Sequence, residues 1–156
     1  MRTLPLRSEE QAQCCWALAN GYLAAASQLL KAHSAETLLP SLFLLLHALE
    51  LHLKAFLFSQ GMSEKQLRAI GHDLLACLRA CNERGFTSHI ALSWVEQLQI
   101  VRLNLYYREK ELEYFVPRAK RFGSVERLRK VVERVAKAVF NPVTAESFRA
   151  LSKSET

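Results

Sequence analysis

Glycine and proline are scarce in this chain, five and four in 156 residues. A β-sandwich or barrel needs turn residues at short intervals, so this scarcity argues against both. Long apolar runs are missing as well. The longest, Leu42–Leu46, is far short of the roughly 20 residues that span a bilayer, so no membrane partner is expected. The opening MRTLPLRSEE has no apolar stretch of signal-peptide length, and a cytoplasmic location is expected. Cysteine is limited to four residues without a C-x-x-C pair. Cys14 and Cys15 are adjacent and would point about 100° apart on a helix. Cys77 and Cys81 share a face, but tetrahedral zinc needs further ligands. The expectation is reduced, mostly buried thiols, with no metal and no cofactor. Phosphate-binding loops, the dinucleotide-binding glycine turn and the nucleophile elbow are all absent. What remains is 50% hydrophobic and 23% charged, enough for a sizeable core in one domain. That domain is expected over residues 1–156, with flexible ends at 1–7 and 152–156.

Helical periodicity runs from end to end. Ser8-Glu9-Glu10-Gln11 has the form of a capping box, followed by Cys15, Trp16, Ala19, Tyr22, Leu23, Ala26, Leu29 and Leu30 at helical spacing. This predicts a helix to about His33. Pro40 suits the first turn of a second helix that continues to Gly61. Ser63–Gln66 opens a short helix that Gly71 ends, and Asp73 caps Leu74–Arg84 before Gly85. A helix from Ser88 to Tyr107 follows, then a connector over 106–117. Ser124 caps a last long helix, with Val125, Leu128, Val132, Val135 and Val139 inward. Asn141-Pro142 is expected to end it, with a further turn or two at Thr144–Leu151. No strand alternation is found. The prediction is an all-α single-domain bundle of about five main helices and one or two short ones.

The helix from Ser88 is apolar on two sides. Ile90, Trp94, Leu98, Val101 and Leu105 suffice to attach it to its own core. Leu92, Ile100, Leu103 and Tyr107 then need another cover. A homodimer interface is expected there, with Tyr114, Phe115 and Val116 of the connector as the intramolecular alternative.

The second helix is apolar nearly all round, yet His47, Glu50 and Lys54 fall on one face. Charges in a core are costly unless paired, and Glu50 and Lys54 stand in the favourable i,i+4 orientation. One reading is a narrow solvent-facing stripe. The other is a polar pocket of His47, Glu50 and Lys54, completed by Arg68, His72 and Asp73 from RAIGHDL. Asp73 is accounted for as a helix cap alone, and a metal cluster of His47, Glu50 and His72 is formally possible but not expected.

HALELHLKAFL, a glycine, a short basic helix and GHDLLACL together resemble the HEPN superfamily. The similarity is clearest over Ser41–Cys81, within a bacterial branch where E-x-x-x-K precedes a G-H-D-L turn. The resemblance implies a helical bundle, and the superfamily is named for suspected nucleotide binding. Many HEPN proteins are metal-independent ribonucleases with an R-x(4–6)-H motif on a late helix. Here Arg68 and His72 are too close in sequence for that motif. Arg84 and His89 have the spacing, but Gly85 follows the arginine and the segment bridges two helices. They are the catalytic candidates of a ribonuclease reading.

The formal charge of +6 lies entirely in the last third: residues 101–156 carry thirteen basic and seven acidic side chains, and residues 1–100 eight of each. Arg127, Lys130, Arg134 and Lys137 share one face of the last helix, within about 80°. Arg118, Lys120 and Arg121 precede it. Basic groups near Tyr106, Tyr107, Tyr114 and Phe115 suit single-stranded nucleic acid, although Glu109, Glu111 and Glu113 interleave with the same aromatics. A solvated face that keeps the chain soluble is the plainer alternative. The expected function is a non-catalytic binding or regulatory module touching RNA, single-stranded DNA or nucleotide through its basic end. A metal-independent ribonuclease is the second reading. A partner for the product of a neighbouring gene, in a two-protein defence or toxin–antitoxin system, is the third.

Overall fold

Ser34, rather than Pro40, starts the second helix: its hydroxyl accepts the Glu36 N–H at 3.1 Å. The computed structural model describes residues 7–114 and 121–154, and of Ser8 and residues 146–154 the backbone alone. The described residues form an all-α bundle of six helices: α1 (Ser8–Leu30), α2 (Ala35–Ser59), α3 (Glu64–Ile70), α4 (Leu74–Asn82), α5 (Trp94–Arg108) and α6 (Val125–Ser154). A 3-10 turn at Phe86–Ser88 stands between α4 and α5.

α2 is the centre. It packs against α1, α4 and α6, and Leu42, Leu45, Leu46, Leu49, Leu53, Phe56 and Leu57 are buried along it. By length and composition this helix could cross a bilayer, but here its apolar faces are covered by neighbouring helices. Ala12, Ala19 and Ala26 recur every seven residues on α1 and are fully buried, and such small side chains let α1 lie close along α2. Tight turns set the middle of the chain. Ser63 and Gln66 cap α3 reciprocally, Gly71 ends it at φ +66, and Asp73 accepts the N–H groups of Leu75 and Ala76 at 3.0 Å.

Two further helices differ in their limits from the sequence reading. α5 begins at Trp94 because Ser93 and Glu96 form a capping box there, and it runs on to Arg108, taking Tyr106 and Tyr107 out of the connector. α6 continues through Pro142. Its apolar stripe of Leu128, Val132, Val135 and Val139 extends to the buried Val143, so packing carries the helix past the missing proline donor.

The interface expected on α5 is corrected. Ile100, Leu103 and Tyr107 are buried in the chain's own core, and Leu92 packs partly against it. The outward stripe is instead Trp94, Leu98, Val101 and Leu105, at 74%, 38%, 40% and 58% exposure. Both faces are apolar, so hydrogen bonds select the inner one. Asn104 accepts the Leu74 N–H at 2.8 Å and donates to Asp73 at 3.1 Å, while Gln99 donates to the carbonyls of Phe122 and Ser124. Of the alternative cover, Tyr114 is exposed, and Phe115 and Val116 lie outside the described residues.

Candidate functional site: a buried carboxylate hub and a basic face

Glu50 faces inward from α2 and is 1% exposed. A lone carboxylate there would be strongly disfavoured. Four other side chains surround it. Lys54, one turn further along α2, donates to Oε1 at 2.5 Å and to the Gly71 carbonyl at 2.8 Å. His72 donates through Nδ1 to Oε2 at 3.0 Å, and the Tyr107 hydroxyl donates to the same oxygen. His47 Nδ1 stands 2.8 Å from the Tyr107 oxygen and 3.7 Å from Glu50 Oε2. Because the phenolic proton is given to Glu50, the Tyr107 oxygen accepts from His47.

Burial pushes the Glu50 pKa up, but the nearby His47 and the bonds from Lys54, Tyr107 and His72 together outweigh it and bring it down to about 2. Tyr107 moves the other way: burial and the adjacent carboxylate hold its phenol protonated well above the ordinary range. The hub is therefore an anion locked by donors. It is a weak base at neutral pH, and it fixes the tautomer of His72 with the proton on Nδ1.

The structure brings His47, Glu50, Lys54 and His72 together and adds Tyr107, which the sequence reading placed on a dimer face. Asp73 lies beside the hub as the α4 cap, held by Asn104 with Arg108 3.6 Å away. Arg68 is not part of it. It pairs with Glu64 on the exposed side of α3, because i,i+4 pairing on one helix face is the nearer option. Among the described residues no group of three or more His, Cys, Asp and Glu side chains is arranged to hold a metal ion.

The remaining candidates separate. Arg84, just past the end of α4, turns back on that helix and donates to the Ala80 carbonyl at 3.0 Å, whereas His89 lies edge-on to Phe56 beyond the 3-10 turn. No described hydrogen bond or ion pair joins the two. Burial raises the thiols of Cys15 and Cys77 to about 12, and that of Cys81 further, which leaves them poor nucleophiles.

On the basic side, Arg121, Arg127, Lys130 and Lys137 are exposed, and among the described residues none has an ion-pair partner. Arg134 is committed elsewhere, to Glu96 at 2.5 Å and the Ala91 carbonyl at 2.7 Å, which ties α6 to the start of α5. Arg118 and Lys120 lie outside the described residues. Arg102, on the exposed side of α5, joins this side of the molecule; a basic residue at the start of the charge-rich third was the signal for it. Comparison of the chain with known protein families, with curated proteins and with solved structures finds no match to any of them.

Proposed function

We propose that this chain is a non-catalytic, HEPN-like binding or regulatory module that contacts single-stranded nucleic acid or nucleotide through the basic side of α6. One observation carries the reading. Arg127, Lys130 and Lys137 share one face of α6 and make no close ion pair among the described residues; Glu126, the acid within electrostatic reach of Lys130, is held with Glu133 by Arg129, and Glu96 by Arg134. Cations that outnumber the acids beside them on one helix face repel one another, and phosphates spaced along a strand relieve that repulsion. The hub supports the non-catalytic half of the reading: its carboxylate is ionised and covered by donors. The ribonuclease alternative rests on the spacing of Arg84 and His89.

The module acts as a homodimer, and its two-fold face is Trp94, Val101 and Leu105 of the outward stripe. A two-fold axis sets the same patch against itself and needs no other complementary surface. A partner protein from a two-protein system is the competing occupant.

A mobility shift with labelled single-stranded RNA tests the function. The wild type should retain RNA at low salt and leave it intact, and Arg127→Glu/Lys130→Glu/Lys137→Glu should not retain it. No retention by the wild type contradicts the reading. Cleavage that survives chelator and is lost in His89→Ala would establish the ribonuclease instead.

A further inference from the structure

We infer that the cavity between the first turns of α5 and α6 is a nucleotide site, taking one nucleotide unit with its phosphate on three arginines and its base on an apolar floor. The inference rests on the nucleic-acid reading above and narrows it to one place and one ligand class.

The cavity has a volume of about 480 Å³. That is the size of a small-ligand pocket, roughly 300–1,000 Å³, and far too small to admit a duplex. Arg102 of α5, Arg121 of the preceding turn and Arg127 of α6 line it together. All three are exposed, and among the described residues none has an ion pair. Nearby acids do not compensate them, since Arg134 holds Glu96 and Arg129 holds Glu126 and Glu133. Three guanidinium groups around one cavity repel one another until an anion arrives, and their planar forks match phosphate oxygens. The positive end of a 30-residue helix adds to the same field.

A phosphate alone would not need the rest of the cavity. Val95, Leu98 and Phe122 give it an apolar wall on which a flat ring can lie. Gln99 lines it as well and is only 7% exposed. Its Nε2 donates to the carbonyls of Phe122 at 3.2 Å and Ser124 at 2.8 Å, which fixes the orientation of the amide. Oε1 is consequently left buried with no hydrogen-bond partner among the described residues. That oxygen is closed to solvent, so Gln99 acts by holding the Phe122–Ser124 turn against α5 and not by touching the ligand. Gly123 keeps this turn in place: it sits at φ +69, and a Cβ there would come within 3.4 Å of Gln99 Nε2.

Calorimetric titration tests the site with three probes: AMP, inorganic phosphate and a short single-stranded oligoadenylate. The proteins are the wild type, Arg102→Ala/Arg121→Ala and Lys130→Ala/Lys137→Ala, each checked for a native circular dichroism spectrum. AMP should bind the wild type about tenfold or more tightly than phosphate, the difference a base stacked on an apolar wall supplies. It should lose about tenfold or more in the arginine pair and be unchanged in the lysine pair. Oligoadenylate binding that weakens in both pairs shows that a strand places one unit in the cavity. AMP binding without oligoadenylate binding shows a site for free nucleotide and overturns the nucleic-acid reading alone. Oligoadenylate binding that ignores the arginine pair but falls in the lysine pair keeps the nucleic-acid reading and overturns the cavity. Wild type that binds AMP no better than phosphate, or not at all, also overturns the cavity.

Discussion

The phenol of Tyr107 donates to the carboxylate of Glu50, joining α5 to α2 across 57 positions of sequence. Lys54 holds the other carboxylate oxygen and also the Gly71 carbonyl, so one buried anion fixes α2, the turn after α3 and the end of α5.

Glu50→Ala should therefore destabilise the fold by about 3–5 kcal/mol, because it strands Lys54 beside an emptied polar site. Tyr107→Phe removes one hydrogen bond to a charged group and should cost about 1.5–3 kcal/mol. Urea unfolding measures both. A Glu50→Ala loss below about 1 kcal/mol is the behaviour of a surface pair and contradicts the hub.

Stability should fall with acid in two successive windows that overlap near pH 4. His52 is buried, with Nε2 3.1 Å from Asn20 Oδ1, and desolvation lowers its pKa from 6.5 to about 4. The unfolded chain binds that proton first, so the stability His52 contributes is complete above pH 6.5 and is lost as pH falls from 6.5 to about 4. Glu50 has its pKa lowered from 4.5 to about 2, so its contribution is complete above pH 4.5 and disappears between 4.5 and 2. Each pKa unit is worth about 1.4 kcal/mol. Urea unfolding across this pH range should show the upper slope flattened in His52→Gln and the lower slope flattened in Glu50→Gln. Unchanged slopes would contradict the assignment.

The two faces of α5 should respond oppositely. Leu103 is fully buried, and Leu103→Ala should cost about 2–5 kcal/mol. Leu105 is 58% exposed in the single chain, and Leu105→Ala should change the stability of the monomer fold by no more than about 0.5 kcal/mol while weakening the dimer. By light scattering, Leu105→Glu should be a folded monomer where the wild type is a dimer, and Leu103→Glu should not fold. A dimeric Leu105→Glu would move the interface off α5.

The all-α class and the core faces of α1, α2 and α6 follow from apolar spacing, which for α6 identifies Leu128, Val132, Val135 and Val139 directly. The grouping of His47, Glu50, Lys54 and His72 is also legible, since charges on an apolar helix must meet partners. The orientation of α5 is not. Its two apolar faces are equivalent by periodicity, and the choice is made by Asn104 and Tyr107, whose partners Leu74, Asp73 and Glu50 are remote in sequence. Tyr107 was missed for the same reason: its ring fits an apolar stripe, and only its hydroxyl marks it as a donor to a buried acid. Pro142 misleads as a helix boundary because the buried Val139 and Val143 on either side outweigh one lost backbone bond, and Pro40 misleads because the Ser34 cap starts the helix six residues before it.

Arg134 and Lys130 share the basic face of α6 but should separate in experiment. Arg134 bridges to Glu96, and Arg134→Ala should cost about 1 kcal/mol of stability with little change in RNA affinity. Lys130→Ala should leave stability unchanged and weaken RNA binding. Urea unfolding and fluorescence polarisation on both variants check this, and a stable Arg134→Ala that loses RNA would contradict it.

The salt dependence of RNA binding tests the central claim most directly. Fluorescence polarisation of a labelled single-stranded RNA is followed between about 50 and 200 mM salt, where each phosphate neutralised contributes about −0.7 to the slope of log K against log salt. Engagement of Arg121, Arg127, Lys130 and Lys137 predicts a slope near −3 for the wild type, and about −1 or no binding for Arg127→Glu/Lys130→Glu/Lys137→Glu. A wild-type slope near zero, or the same slope in both proteins, would contradict the account.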